Sequence, residues 1–433
     1  MDPLYISIIG LAAFFLVISQ GVPIAYAFAM VGFVGMFLLK GNLTVALNLI
    51  GSAPFVWSTN GGLLAIPLFV LMGQFVFQPG ISSELFQTAY KWVGRFPGGL
   101  AMASNLASTA FGACSGASVA SAATLGTIAY PEMEKFGYSP RLATGAIVAG
   151  GALAALIPPS VPFIMYGVLT EQSIAKLFIA GVLPGLLLSS MYTGLIIFMA
   201  KHKPELAPRG PAFPMREMLA SLKGVLGVVI LFLLVIGGLF AGVFAPAEAG
   251  AMGAFGAFMI TLVRRRLTFS SFLLCLKEAM KSTCFILTIT IGAMVFSTFM
   301  AVGGFSIMFR DWVAVLPFSR HVILIMILLM YIPLGMVMDG LAMLLLTLPI
   351  VYPIVIKFGF DPIWFGIIST LIVEMALVTP PVALSCYVVH GVTNVPLEDV
   401  FRGILPFFLT IFVCIAVLYA FPQITLFLPN VMG

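Results

Sequence analysis

The residues 130–140, YPEMEKFGYSP, recur at residues 352–362 as YPIVIKFGFDP. Extending this alignment without a gap pairs residues 130–184 with residues 352–406 and gives twelve identities in 55 positions. Ten of the twelve involve Tyr, Pro, Lys, Phe or Gly, which a general bias toward aliphatic side chains would not align. We therefore interpret the chain as two copies of one structural unit.

The composition indicates that both copies lie in a lipid bilayer. Charged residues are 8% of the 433 residues, hydrophobic residues are 61%, and the mean hydropathy is +1.17. A soluble domain carries about 25% charged residues, so this chain cannot cover itself with a water-soluble surface. Apolar runs of about 20 residues, long enough to cross a bilayer, recur throughout. The sequence predicts an all-α polytopic membrane protein.

The positions of Lys and Arg predict that the two copies have opposite orientations. The basic segment 201–223 is cytoplasmic by the positive-inside rule. Two further apolar runs bring the chain back to the same side at residues 264–266, which are three arginines. The equivalent turn of the first copy, residues 40–42, is nearly uncharged and is predicted outside. Fifteen of the twenty Lys and Arg residues then lie inside, and both termini are predicted to be periplasmic.

The repeat and the charges together predict the domain organisation. The first inverted repeat is residues 1–200, the cytoplasmic linker is residues 201–223, and the second inverted repeat is residues 224–433. A scaffold is expected at about 1–97 and 224–318, and a transport part with a hairpin and a broken helix at about 98–200 and 319–433. The amphipathic stretch 267–282 favours an interfacial arm on the cytoplasmic surface. An anchor for the arginine cluster alone fits equally well.

A pair of prolines interrupts an apolar run at equivalent positions of the two copies. Residues 157–160 read IPPS and residues 379–382 read TPPV. Adjacent prolines remove two N–H donors, so carbonyl groups near residues 154–155 and 376–377 are expected to lose their partners. A bilayer tolerates such a break only where it faces protein, water or an ion. A packed kink is the alternative, but matching breaks in inverted copies are typical of a transporter's binding site.

A small-residue segment precedes each break and predicts a re-entrant helical hairpin. The first segment is FGACSGAS at residues 111–118, with the tip at 115–118, and the second is PLGMVMDG at residues 333–340. The alternative for the first is a helix-packing stripe of small residues. The second contains Asp339, and a carboxylate inside an apolar segment indicates function. The same argument applies to Glu374, which is a cation ligand, a proton carrier or a hydrogen-bonded structural acid.

These features predict two similar sites, each built from a hairpin tip and a broken helix. Oxygen ligands suit a hard cation, and helix N-termini that face the same cavity favour an anionic solute. No Lys or Arg is expected inside either hairpin or either broken helix, so N–H groups, hydroxyls and a bound cation would recognise a carboxylate. The predicted binding residues are Ser115, Gly116, Ser118, Pro158, Pro159, Ser160, Asp339, Gly340, Glu374, Thr379, Pro380 and Pro381.

An ordered set of short motifs resembles one transporter family along essentially the whole chain. The motifs are GVPIA (21–25), PLF (67–69), FPGGLA (96–101), SGAS (115–118), IPPS (157–160), LFIAG (177–181), DG (339–340) and TPPV (379–382). They are similar to those of the large membrane subunit of tripartite ATP-independent periplasmic (TRAP) transporters. One departure is Ala383, where the family commonly has Gly.

The resemblance implies a sodium-driven importer of small organic anions in the bacterial inner membrane. Typical solutes are carboxylates such as C4-dicarboxylates or sialic acids, and the implied mechanism is an elevator that moves both hairpins against a scaffold. The implied partners are a small four-helix membrane subunit and a periplasmic solute-binding protein. Sodium is implied as a coupling ion, not a resident cofactor, with predicted ligands Ser115, Gly116, Asp339 and Thr379.

Three other classes of protein are alternatives to a TRAP large subunit. A stand-alone sodium/dicarboxylate symporter of related fold would share most of these features and would need no binding protein. An enzyme is disfavoured because the three histidines, His202, His321 and His390, form no His-Glu-x-x-His motif. A channel requires a continuous polar path, whereas two hairpin sites favour occluded exchange.

Overall fold

The fold is helical throughout the part that the structure describes. This computed structural model describes residues 2–77, 80–116, 118–381 and 383–432. Within these ranges, seven helical segments are long and apolar enough to cross a membrane, or eight if α4 and α5, defined below, form one span. The predicted all-α polytopic fold is confirmed.

The chain begins with five helices and continues with a second series of five. The first five are α1 (Pro3–Ser19), α2 (Ile24–Lys40), α3 (Leu43–Ser58), α4 (Ala65–Phe77) and α5 (Ile81–Val93). The next five are α6 (Gly99–Ser115), α7 (Ser118–Lys135), α8 (Pro140–Leu156), α9 (Val161–Thr170) and α10 (Ile174–His202).

Ten further helices complete the described chain. The first four are α11 (Met215–Phe240), α12 (Pro246–Val263), α13 (Phe269–Val302) and α14 (Phe305–Val315). The last six are α15 (Arg320–Gly335), α16 (Gly340–Lys357), α17 (Pro362–Leu377), α18 (Leu384–Thr393), α19 (Leu397–Ala420) and α20 (Gln423–Met432).

Helices α6–α10 and α15–α19 follow the same plan. Their lengths are 17, 18, 17, 10 and 29 residues in the first series. The corresponding lengths in the second series are 16, 18, 16, 10 and 24 residues. Each series contains a pair of helices joined at a tight tip, then a helix that breaks at two prolines. This agreement supports the internal repeat, while the opposite orientation of the copies stays a prediction.

The two breaks occur at the predicted proline pairs. Helix α8 ends at Leu156 before Pro158 and Pro159, and α17 ends at Leu377 before the second pair. The broken helix over residues 140–170 is buried throughout its most apolar stretch. The expected loss of a partner is wrong for the carbonyl of Ala376, which accepts a hydrogen bond from the Thr379 N–H at 3.1 Å. The chain tightens into a short turn there and so satisfies that oxygen.

Two predicted segments differ in extent from the observed helices. The segment without an α-helix between the repeats is residues 203–214, shorter than the predicted linker, because α10 and α11 extend into it. Residues 267–282 form no separate arm: α13 runs without interruption from Phe269 to Val302. The predicted arm is therefore the N-terminal part of one long helix, and its location on the cytoplasmic surface stays a prediction.

Small residues bring helices α2 and α13 into close contact. A Cβ atom on Gly32 would lie 2.8 Å from the backbone nitrogen of Phe296, and one on Gly292 would overlap the carbonyl oxygen of Ala25. Phe14 and Phe28 stack with ring centroids 4.3 Å apart beside this crossing. Backbone contact of this kind is how helices associate where water provides no hydrophobic driving force.

Candidate functional site

In the first series, the hairpin tip lies against the helix break. Gly116 follows α6 with φ +59°, and a Cβ atom there would overlap the carbonyl oxygen of Pro159 and lie 3.1 Å from the Cα of Ser160. One turn earlier, a Cβ on Gly112 would lie 2.6 Å from the Cα of Ala154. Only glycine at both positions allows the hairpin to approach the broken helix this closely.

The second series repeats this arrangement. A Cβ on Gly335, at the end of α15, would lie 2.8 Å from the carbonyl carbon of Ala376, which is four residues before Pro380 as Ala154 is before Pro158. A Cβ on Gly340 would lie 2.8 Å from Val373 and 3.0 Å from Leu377. Each predicted hairpin therefore packs on the broken helix of its own series.

A cavity of about 510 Å³ lies between these two assemblies and helix α13. Both hairpin tips line it, and so do α8, α9, α17 and α18. Its charged and hydroxyl-bearing residues are Ser118, Glu278, Lys281, Ser282, Asp339 and Glu374. Three carboxylates thus face a single ammonium group among the described lining residues. An anionic solute would be repelled from such a cavity unless cations or protons accompany it.

Glu374 connects the two series inside the cavity. Its side chain is 3% exposed and interacts with the side chain of Ser118, on the hairpin of the other series. Its Oε2 atom has no hydrogen-bond partner among the described residues. A buried polar atom without a partner is costly, which makes this oxygen a candidate ligand for a proton or a cation.

Asp339 caps helix α16, a role that the sequence analysis did not consider. Its Oδ1 accepts hydrogen bonds from the N–H groups of Leu341 at 3.0 Å and Ala342 at 3.2 Å. A carboxylate at a helix N-terminus satisfies unpaired donors and interacts favourably with the helix dipole. Asp339 also lines the cavity, so its Oδ2 atom is available to bind a ligand there.

Substitutions of Asp339 separate its capping role from its charge. Asn accepts the same hydrogen bonds, so we expect Asp339→Asn to retain stability, whereas Asp339→Ala should cost about 1 kcal/mol. If the charge balances a coupling cation, both variants lose cation-driven uptake. Thermal unfolding of the purified chain and uptake into proteoliposomes measure the two effects. Full uptake by the Asn variant would limit Asp339 to capping.

Hydroxyl groups beside each break provide further oxygen atoms. The Ser160 side chain is fully buried, and its Oγ has no hydrogen-bond partner among the described residues. The Thr379 hydroxyl donates to the carbonyl of Met375 at 2.8 Å, so only its lone pairs remain to bind a ligand. Both peptide bonds between the paired prolines are cis. Ser385, the second residue of α18, has a buried Oγ that is likewise without a partner among the described residues.

Comparison with known proteins identifies the family. The model of the tripartite ATP-independent periplasmic transporter, DctM component, matches residues 11–424. The chain belongs to this family. The predicted resemblance to TRAP large subunits is therefore confirmed, and the DctM family consists of transport permeases, not of enzymes.

The names of two relatives of this chain state different solutes. The C4-dicarboxylate TRAP transporter large permease protein DctM of Pseudomonas aeruginosa is 36% identical over 380 residues, 88% of each protein. The sialic acid TRAP transporter large permease protein SiaM of Vibrio cholerae is 32% identical over 411 residues, 95% of each protein. The crystal structure of the Alcanivorax borkumensis YdaH transporter, described as having an unusual topology, shares the fold with a TM-score of 0.64 at 14% identity. It covers 90% of this chain and 91% of its own.

The structure of this DctM component brings together some of the predicted binding residues. Gly116, Ser118, Asp339, Gly340 and Glu374 all line the cavity. The remaining described ones lie in the breaks behind it: Pro158, Pro159, Ser160, Thr379, Pro380 and Pro381. The side chain of Ser115 and the motif residues Ala117 and Val382 lie outside the described part of the chain. The predicted sodium ligands Ser115, Gly116, Asp339 and Thr379 stay a prediction.

The sequence analysis missed the contribution of helix α13 to the cavity. Lys281 lies there with its Nζ 4.0 Å from the Oε2 of Glu278, and its side chain is 76% exposed. The predicted absence of Lys and Arg from the hairpins and broken helices is wrong for the ends of the observed helices, which include Lys135, Arg141, Arg320 and Lys357. None of these four lines the cavity, and the cation that does so comes from another helix. The only local signal was a Lys and a Glu three residues apart on an amphipathic stretch, which is common on helix surfaces.

Proposed function

We propose that this chain imports a small organic anion by sodium-coupled symport, and that the solute binds in the cavity between the two hairpins. The observation that carries the proposal is the composition of the cavity wall: one ammonium group, two hairpin tips and three carboxylates around about 510 Å³. That volume is in the range of small-molecule sites, about 300–1,000 Å³. The ammonium group of Lys281 and the N–H groups at the tips would bind the solute's carboxylate.

The excess of carboxylates supports coupling to cations. Glu374 is buried, and the half-buried Asp339 lines the same largely apolar cavity, where unpaired negative charge is unfavourable. Sodium ions, carried as co-substrates, would be bound by the oxygens of the tips and breaks, such as the buried Ser160 hydroxyl. Hard cations prefer such oxygen ligands. Among the described residues, no three His, Cys, Asp or Glu side chains are arranged to hold one metal ion together, so hydroxyl and carbonyl oxygens would have to complete a cation site.

An elevator mechanism and two partners complete the proposal. In this mechanism the helices that carry both hairpins move together relative to the remaining helices, so that the cavity opens to either side. The proposed partners are a small four-helix membrane subunit and a periplasmic solute-binding protein, as the tripartite name of the family suggests. The two relatives named above suggest a carboxylate such as a C4-dicarboxylate or a sialic acid as the solute.

Uptake into proteoliposomes tests this function. The chain is reconstituted with its small subunit and binding protein, and candidate carboxylates are supplied with and without an inward sodium gradient. We expect sodium-dependent uptake that is lost when any one of the three proteins is omitted.

Three other outcomes would each indicate a different function or coupling ion. Uptake by this chain alone would establish a stand-alone sodium/dicarboxylate symporter. A proton gradient that fully replaces sodium would contradict the choice of ion, and it would direct attention to Glu374 as the proton carrier. Flux that does not saturate and needs no gradient would indicate a channel.

A further inference from the structure

A second large pocket is lined by residues that belong to neither hairpin tip and to neither helix break. It has a volume of about 480 Å³ and is formed by helix α5, the first half of α11 and the end of α12. Its charged residues are Glu84, Lys91, Lys223, Arg264 and Arg266. Four cationic side chains thus face one carboxylate, which makes this a basic pocket on a chain with few charges.

The two arginines are already occupied. Glu84 forms ion pairs with Arg264, at 2.8 Å, and with Arg266, at 2.5 Å. Arg264 also donates hydrogen bonds to the carbonyls of Gly224 at 3.1 Å and Lys223 at 2.8 Å. These contacts hold α5, α11 and α12 together and use most of the donors of Arg264. They account for the shape of the pocket but leave its positive charge uncompensated.

The two lysines provide the uncompensated charge. Neither Lys91 nor Lys223 forms an ion pair with any residue that the structure describes. They project into the pocket from helices α5 and α11. Two such ammonium groups beside a rigid Glu84–Arg264 framework are suited to a phosphate group, since ammonium groups donate to phosphate oxygens as compact charges.

The position of the pocket favours a lipid as the source of the phosphate. Along α11, a row of exposed apolar side chains at intervals of three or four residues starts beside Lys223. The row consists of Leu222, Leu226, Ile230 and Leu233. None of these four residues lines the pocket; at about 100° per residue, the row lies on the side of Lys223 away from Ala220 and Gly224. Acyl chains along the row would therefore reach the pocket from the Lys223 side. The Lys and Arg distribution places this end of the helices on the cytoplasmic side, where anionic lipid headgroups attract basic clusters.

We propose that this pocket binds the phosphate group of an anionic phospholipid. The bound lipid stabilises the contact between α5 and the α11–α12 pair, because its phosphate balances the lysines that would otherwise repel the two arginines. The site is independent of the transport cavity. It exists whether or not the chain carries organic anions.

Native mass spectrometry of the full chain in detergent tests the lipid site. The chain is mixed with phosphatidylglycerol or, as the zwitterionic control, with phosphatidylcholine. We expect the double variant Lys91→Gln/Lys223→Gln to bind phosphatidylglycerol about 30-fold more weakly than the unmodified chain. The double variant Lys201→Gln/Lys203→Gln is the matched control, because it removes the same charge from exposed positions outside the pocket. It should bind as the unmodified chain does.

Conservative variants and competition complete the test. Lys91→Arg/Lys223→Arg should restore binding, because it restores both positive charges. Equal loss in the pocket and control variants would overturn the site, since non-specific charge attraction would then suffice. Inorganic phosphate that displaces the lipid at equal concentration would overturn the lipid assignment in favour of free phosphate. Equal retention of phosphatidylcholine would overturn the requirement for an anionic headgroup.

Discussion

Gly116→Ala is expected to reduce sodium-driven uptake by at least about tenfold, equivalent to ~1.4 kcal/mol, while the chain remains folded. Gly116 has φ +59°, and its added Cβ would overlap the carbonyl oxygen of Pro159. The added Cβ would meet backbone atoms of Pro159 and Ser160, so rotation of a side chain cannot relieve the overlap. The hairpin tip or the helix break must shift, and this shift separates the oxygen atoms proposed to bind the coupling ion.

Gly137→Ala is the matched control for this variant. Gly137 has φ +74°, but an added Cβ would meet nothing within 4 Å. Both variants therefore incur the cost of a left-handed alanine, about 1–2 kcal/mol, and only Gly116→Ala adds the collision. Thermal unfolding should show a loss for both variants that is larger for Gly116→Ala, and the initial uptake rate of the folded protein should fall for Gly116→Ala alone. Equal uptake by the two variants would mean that close contact between tip and break is not needed for transport.

The sequence alone predicted the parts of the site that depend on local backbone chemistry. Proline pairs interrupt helices wherever they occur, so the breaks at Pro158 and Pro380 followed from residue type. The duplication then linked each break to a hairpin, because equivalent positions of a repeat have equivalent neighbours. The capping role of Asp339 was not predicted, although an Asp directly before an apolar run is a helix N-terminal signal.

Local sequence patterns could not predict the contacts between distant parts of the chain. The interaction between Ser118 and Glu374, and the ion pair between Glu84 and Arg264, each join residues far apart in sequence. The same holds for Lys281, which belongs to a helix outside both hairpins. Ala383 shows a further limit: it takes φ +33°, a conformation that favours glycine, and the sequence indicated only that glycine is usual there.

Lys281→Gln is expected to raise the KM for the solute by about 10- to 100-fold, since a hydrogen bond to a charged group contributes about 1.5–3 kcal/mol. Lys281 is the one cation among the described residues that line the cavity. Its partner Glu278 is 4.0 Å away, a loose pairing that a solute carboxylate can replace. Initial uptake rates over a range of solute concentrations, with the binding protein saturating, measure KM and the maximal rate separately.

Two further variants distinguish solute binding from general surface charge. Lys277→Gln removes the same charge one turn earlier on α13, from an exposed position outside the cavity, and should leave KM unchanged. Glu278→Gln removes the competing carboxylate, so it should lower KM and leave the sodium dependence intact. A purely structural role for the Lys281–Glu278 pair predicts the opposite pattern, because both substitutions would then impair transport to the same extent. The direction of the Glu278→Gln effect therefore decides whether Lys281 binds the solute or only its neighbour on the helix.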